Sequence, residues 1–112
     1  MKTKTKDITF TRGDTFTYAV TVKTSITNVT NIFFTVKDEN ESKVISKKLN
    51  EGITFQGDTI LVTIKPVDTN ELDVDAEYVY DLQINYGVDD ALTPLKGKLK
   101  LEEDVTHPAD EV

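Results

Sequence analysis

Apolar and polar residues alternate with period two through most of the chain, and no stretch sustains the 3.6-residue period of an amphipathic helix. Residues 15–23 place Phe16, Tyr18, Val20 and Val22 on one face and Thr15, Thr17, Ala19 and Thr21 on the other. Residues 31–37 turn Ile32, Phe34 and Val36 inward and leave Phe33 on the opposite face. Residues 43–49 alternate less cleanly and are rich in lysine, the composition of an edge strand guarded against mispairing. Residues 52–55 and 59–65 flank Gln56-Gly57-Asp58, a short hairpin turn in which Gly57 supplies a positive φ. Residues 77–86 line up Tyr78, Tyr80, Leu82, Ile84 and Tyr86 against Val79, Asp81, Gln83 and Asn85. Residues 95–101 set Leu95, Gly97, Leu99 and Leu101 against Lys96, Lys98 and Lys100.

With a short first strand around Ile8 and Phe10, this pattern predicts seven to eight strands, each apolar on one face. Such spacing describes an all-β protein of two antiparallel sheets packed face to face, and the corner pattern that follows turns this expectation into an immunoglobulin-like antiparallel β-sandwich. The segment 66–72 is the one helical-turn candidate, with Pro66 suited to a first helical position. The run from Leu72 through Asp75-Ala76-Glu77-Tyr78-Val79-Tyr80 resembles the corner before the penultimate strand of immunoglobulin-like domains. There a tyrosine hydroxyl bonds back to upstream backbone, and Tyr78 fits that role; the plainer reading makes Tyr78 one more inward aromatic. We expect a single domain over 1–104 and an acidic, flexible tail over 105–112.

A chain of 112 residues has room for one core, and roughly two-thirds of the unfolded surface can be buried at this size. The absence of cysteine removes disulfides, thiolate metal sites and a cysteine nucleophile together. Together with an N-terminus lacking an apolar signal region, it points to synthesis and assembly inside the cell. Twenty acidic residues against 13 basic ones leave a net charge of −7, which argues against nucleic acid or an anionic membrane as partner. Only a concentrated basic patch reverses that argument, and the candidates are Lys2, Lys4 and Lys6, or Lys96, Lys98 and Lys100.

Little else carries chemistry. Arg12-Gly13-Asp14 spells an integrin-recognition tripeptide, but between two strands Gly-Asp is first a turn. The acidic loops Asp38-Glu39-Asn40-Glu41, Asp73 with Asp75, and Asp89-Asp90 match no calcium-binding loop and read as solvated turns. His107 is the sole histidine and lies in the expected tail, without a second ligand for zinc or a group to fix its tautomer. Asp81 has no carboxylate partner at a spacing that suits glycoside chemistry. The sequons at Asn28 and Asn40 matter only in a secreted eukaryotic setting. We therefore expect no enzyme, no cofactor and no bound metal. The candidate docking surface comprises Phe33 and Val79, apolar on polar faces, and the stripe Lys96, Lys98 and Lys100. The alternative for each is a solvated or loop-covered sheet face.

From end to end the chain resembles the small immunoglobulin-like proteins of phage and prophage tail modules. It is similar in particular to the N-terminal domain of the phage baseplate upper protein family. The residues carrying this are 8–16 with their Arg-Gly-Asp-Thr turn, 32–37, Gly52-Ile53, 62–69, 78–83, 97–99 and Asp104-Val105-Thr106. The resemblance implies a virion structural protein, tail- or baseplate-associated, assembled in the bacterial cytoplasm. Its partners would be other phage structural proteins or itself, without a cofactor, and Arg12-Gly13-Asp14 would be a family turn. A bacterial cell-surface adhesion module is the alternative, and a carbohydrate-binding sandwich using Tyr86 beside 87–90 comes third.

Overall fold

The computed structural model describes residues 3–22 and 28–103; the expected tail at 105–112, with His107, and Lys2 lie outside the described residues. The strands are β1 (Lys4–Thr5), β2 (Ile8–Thr11), β3 (Phe16–Thr21), β4 (Val29–Lys37), β5 (Lys43–Leu49), β6 (Gly52–Gln56), β7 (Thr59–Ile64), β8 (Tyr78–Tyr86) and β9 (Asp90–Glu102). The helix α1 (Pro66–Thr69) is a single turn at the segment where Pro66 favours one. The protein is nearly all β.

The strands join in the order β1-β9-β8-β4-β5-β6-β7-β3, with β2 also paired to β9. Between β5 and β6 the path holds only through Lys48↔Gly52 and Leu49↔Ile53. There the sheet curls, so that the apolar faces of its two halves close on one core. Ile32, Phe34 and Val36 of β4 and Leu82 and Ile84 of β8 share that core with Ile53 of β6 and Ile60, Val62 and Ile64 of β7. Phe34 is 1% exposed and its ring meets Tyr80 at a centroid distance of 5.5 Å. The period-two pattern thus does its physical work: each inward side chain leaves water at about 25 cal/mol per Å² of apolar surface.

Among the described residues there are nine strands, and pairing is mixed instead of wholly antiparallel. β1 and β2 both run parallel to β9, and β6 runs parallel to β5. Alternation fixes which face a side chain takes; it says nothing of the direction of the neighbouring strand. The single first strand expected around Ile8 is split by Lys6-Asp7, where the chain presses against β9. The Lys6 amide donates to the Lys96 carbonyl at 2.9 Å, and the Lys98 amide donates to Asp7 Oδ1 at 3.0 Å. A Cβ on residue 97 would collide with the Lys6 carbonyl, so glycine is required at that crossing. The Tyr80 hydroxyl donates to the same Lys6 carbonyl at 2.5 Å. Burial, then the neighbouring Tyr18 and the charge of Asp7, push the Tyr80 phenol well above its ordinary range, so it stays a neutral donor.

Two turns behave as local chemistry dictates. Gly57 has φ 65° in the β6–β7 hairpin. The Arg12-Gly13-Asp14 turn is drawn inward: the Gly13 amide donates to Thr69 Oγ1 at 2.8 Å, and the Arg12 guanidinium donates to the Leu72 carbonyl at 3.1 Å. Thr69, wholly buried, is therefore the peg on which the β2–β3 turn is hung. At the next corner the Asp73 amide donates to the Tyr78 hydroxyl at 2.9 Å, tying the loop before β8 to the first residue of that strand.

Candidate docking surface

The outward face of β5-β4-β8-β9 follows from strand register. One row across it reads Lys43, Lys37, Val79, Lys98: Lys43 pairs with Lys37, Lys37 with Val79, and Val79 with Lys98. The next row reads Ser46, Thr35, Asp81, Lys96 and ends on Thr5 of β1. A third brings Lys48, Phe33 and Gln83 together. Val79 is 49% exposed at the centre of this surface, whereas Phe33 is half-buried among its neighbours.

The first row is built by a turn. Asp38 Oδ1 accepts the amides of Asn40 and Ser42 at 2.9 and 3.0 Å, closing the β4–β5 connection. A register shift between Val36 and Lys37 then sets Lys37 directly opposite Lys43. Like charges facing each other across a strand pair destabilise it. No ion pair is present at Lys37, Lys43, Lys96 or Lys98 among the described residues, in contrast to Lys47, whose ammonium lies 2.7 Å from Asp68. Asp81, directly across from Lys96, is the acid set within these two rows. The result is a positive surface on a protein of net charge −7.

Between the lysines lies an open hollow of about 570 Å³, lined by Lys37, Lys43, Val79, Asp81, Gln83 and Lys96. It is broad and shallow, the shape of a contact surface more than of a small-molecule cleft. Asp81 there has a lysine as its cross-strand neighbour and no second carboxylate in its row. Among the described residues no group of three or more histidine, cysteine, aspartate or glutamate side chains could hold a metal ion. No helix among them is long and apolar enough to cross a membrane.

Of the sequence-derived candidates, Phe33, Val79, Lys96 and Lys98 share this face. Lys100 lies on the same side of β9 but beyond the start of β8, in register with Thr9 of β2. It lines a separate hollow with Asp75, Glu77 and Lys98, so Lys98 stands between the face and this hollow. Lys37 and Lys43 were missed by reading along the chain, because each sits singly at a strand end. The signal that finds them is the acidic turn between them, which closes a hairpin and brings its flanks together.

No family model matches the chain, and no curated protein matches it. Among solved structures it is similar to the extracellular domain of the voltage-gated sodium channel beta4 subunit, in a study of parallel homodimers and their role in cell-cell adhesion. That likeness is at 14% identity over 94% of this chain and 97% of the other, with a TM-score of 0.39.

Proposed function

We propose that the protein is an immunoglobulin-like β-sandwich that serves as a virion structural component of a phage or prophage tail, baseplate-associated, docking by protein contact and without catalysis. The weak link between β5 and β6 supports the sandwich, since it divides the path into two sheets around one core. The Asp73–Tyr78 hydrogen bond supports the immunoglobulin type, as a tyrosine corner. The end-to-end sequence resemblance supports the tail setting.

The observation that carries docking is the row Lys43-Lys37-Val79-Lys98. Lys37 and Lys43 face each other at a cost in stability, and an acidic partner laid over them and Lys98 turns repulsion into attraction. Val79 supplies the apolar centre of such a contact, and the lysine stems add apolar area around it. The test is purification of the full chain with candidate tail and baseplate proteins of the same genome, followed by mass measurement of the complexes. A defined complex that weakens with salt and is lost in the Lys96→Glu/Lys98→Glu variant is expected. Absence of a complex with every tail protein would overturn the tail reading, and a complex indifferent to the double variant would overturn the docking face.

A further inference from the structure

The molecule also has an edge that invites a strand. β3 closes one end of the path and pairs only with β7 among the described residues. The Val22 amide donates to the Asp58 carbonyl at 2.8 Å, so the even-numbered residues of β3 direct their backbone groups to β7. The amides and carbonyls of Thr17, Ala19 and Thr21 accordingly point away from the sheet. All three residues are exposed.

Sheet edges are ordinarily guarded by charge, proline, shortness or a bulge. The opposite edge is so guarded, by the brevity of β1, by Lys4 and Lys6, and by the break at Asp7. The free side of β5 carries Lys43 and Lys47, and β6 is unpaired with β5 only from Thr54 to Gln56. β3 carries none of these guards in its own sequence, since TFTYAVTV from Thr15 to Val22 holds no charge, proline or glycine; the Lys6 ammonium lies on its core side, 5.8 Å from the Tyr18 ring centroid. The sheet face behind it is also uncharged, comprising Thr17, Ala19 and Thr21 with Thr59, Leu61 and Thr63 of β7.

We infer that β3 pairs antiparallel with β3 of a second copy of this chain, about a two-fold axis through Ala19. The sequence is self-complementary in that register. Ala19 meets Ala19, and Thr17 meets Thr21 of the second copy, which aligns the outward-pointing backbone groups as hydrogen-bonded pairs on both sides of the axis. On the core side Tyr18 meets Val20 of the second copy and Phe16 meets Val22, aromatic–β-branched pairs of the kind that stabilise sheets. The half-buried row Phe16, Tyr18 and Val20 gains cover in the process. A second copy is the occupant favoured by this self-complementary register, which offsets the mutual repulsion of two chains of net charge −7 and of the Lys6 ammonium that lies 5.8 Å from the Tyr18 ring centroid in each. This edge is separate from the lysine face, so the two proposals stand or fall independently.

The experiment compares the full chain with Ala19→Pro and Ala19→Cys. Proline at position 19 removes an outward amide that the β7 ladder does not use, so the fold is retained while pairing is blocked. Sedimentation equilibrium of the wild type should show a concentration-dependent dimer that high salt leaves intact or strengthens. Ala19→Pro should weaken it at least tenfold. Opposed residues in a hydrogen-bonded pair have Cα atoms about 5.5 Å apart, within disulfide range. Because the chain has no other cysteine, oxidised Ala19→Cys should yield a covalent dimer, whereas Leu61→Cys on the adjacent strand should stay monomeric. A wild type that remains monomeric at millimolar concentration, a dimer unchanged by Ala19→Pro, or equal cross-linking of both cysteine variants would each overturn the pairing.

Discussion

The two outward faces of the curled sheet are built from opposite materials. Over β5-β4-β8-β9 the outer rows carry Lys43, Lys37, Lys98, Lys96 and Asp81 around Val79. Over β6-β7-β3 they carry Thr54, Gln56, Thr59, Leu61, Thr63, Thr17, Ala19 and Thr21, without a charge. Both faces cover the same core, so burial does not explain the difference. A sheet face that needs only solubility can be made of threonine, as the second one is. Lysines set opposite each other on the first face, without ion-pair partners, are a cost that folding alone does not require.

The comparison can first be broken at what the faces share. Phe34 lies beneath the charged face in the common core, and Phe34→Ala should cost about 3–5 kcal/mol. Urea denaturation should still give one transition, with β4 and β7 lost together; two separate transitions would mean two independent halves. Gly97→Ala attacks the charged half alone, at the crossing where Lys6 lies on β9. Overpacking there should destabilise by roughly 2–3 kcal/mol, read from the urea midpoint, while the β3–β7 ladder keeps slow amide exchange. Tyr78→Phe removes the acceptor of the Asp73 amide and should cost about 1 kcal/mol in the same measurement. The smallest effect has the opposite sign. Lys43→Glu replaces a like-charge pair with an opposite-charge one and should stabilise by about 0.5 kcal/mol at low salt, whereas Thr63→Glu on the neutral face should gain nothing.

Much of this was legible in the sequence. The strand β5 spans the residues 43–49 that its composition marks, and the alternation in 77–86 places Tyr78, Tyr80, Leu82 and Ile84 in the core. Period two carries that information because each inward residue must be apolar. What alternation leaves out is the identity of the neighbour. Lys37 and Lys43 become a pair only through the Asp38 turn and a register shift, and Lys100 leaves the stripe only because β8 begins at Tyr78. Likewise, the splitting of the first strand depends on Lys6 meeting Gly97, residues far apart in the chain. Thr69 reads as an ordinary helix residue until Gly13 is found hydrogen-bonded to it.

The central claim of the proposed function is that the lysine face, and not the threonine face, meets an acidic protein partner. Titration calorimetry with any partner protein that the co-purification proposed above yields tests it, comparing Lys37→Glu/Lys98→Glu with Thr59→Glu/Thr63→Glu. Both variants make the protein more acidic, and both alter exposed strand positions. The account predicts that the lysine-face variant loses binding by tenfold or more while the threonine-face variant binds within about twofold of the wild type. Loss of binding in the threonine-face variant, with the lysine-face variant unaffected, would contradict it.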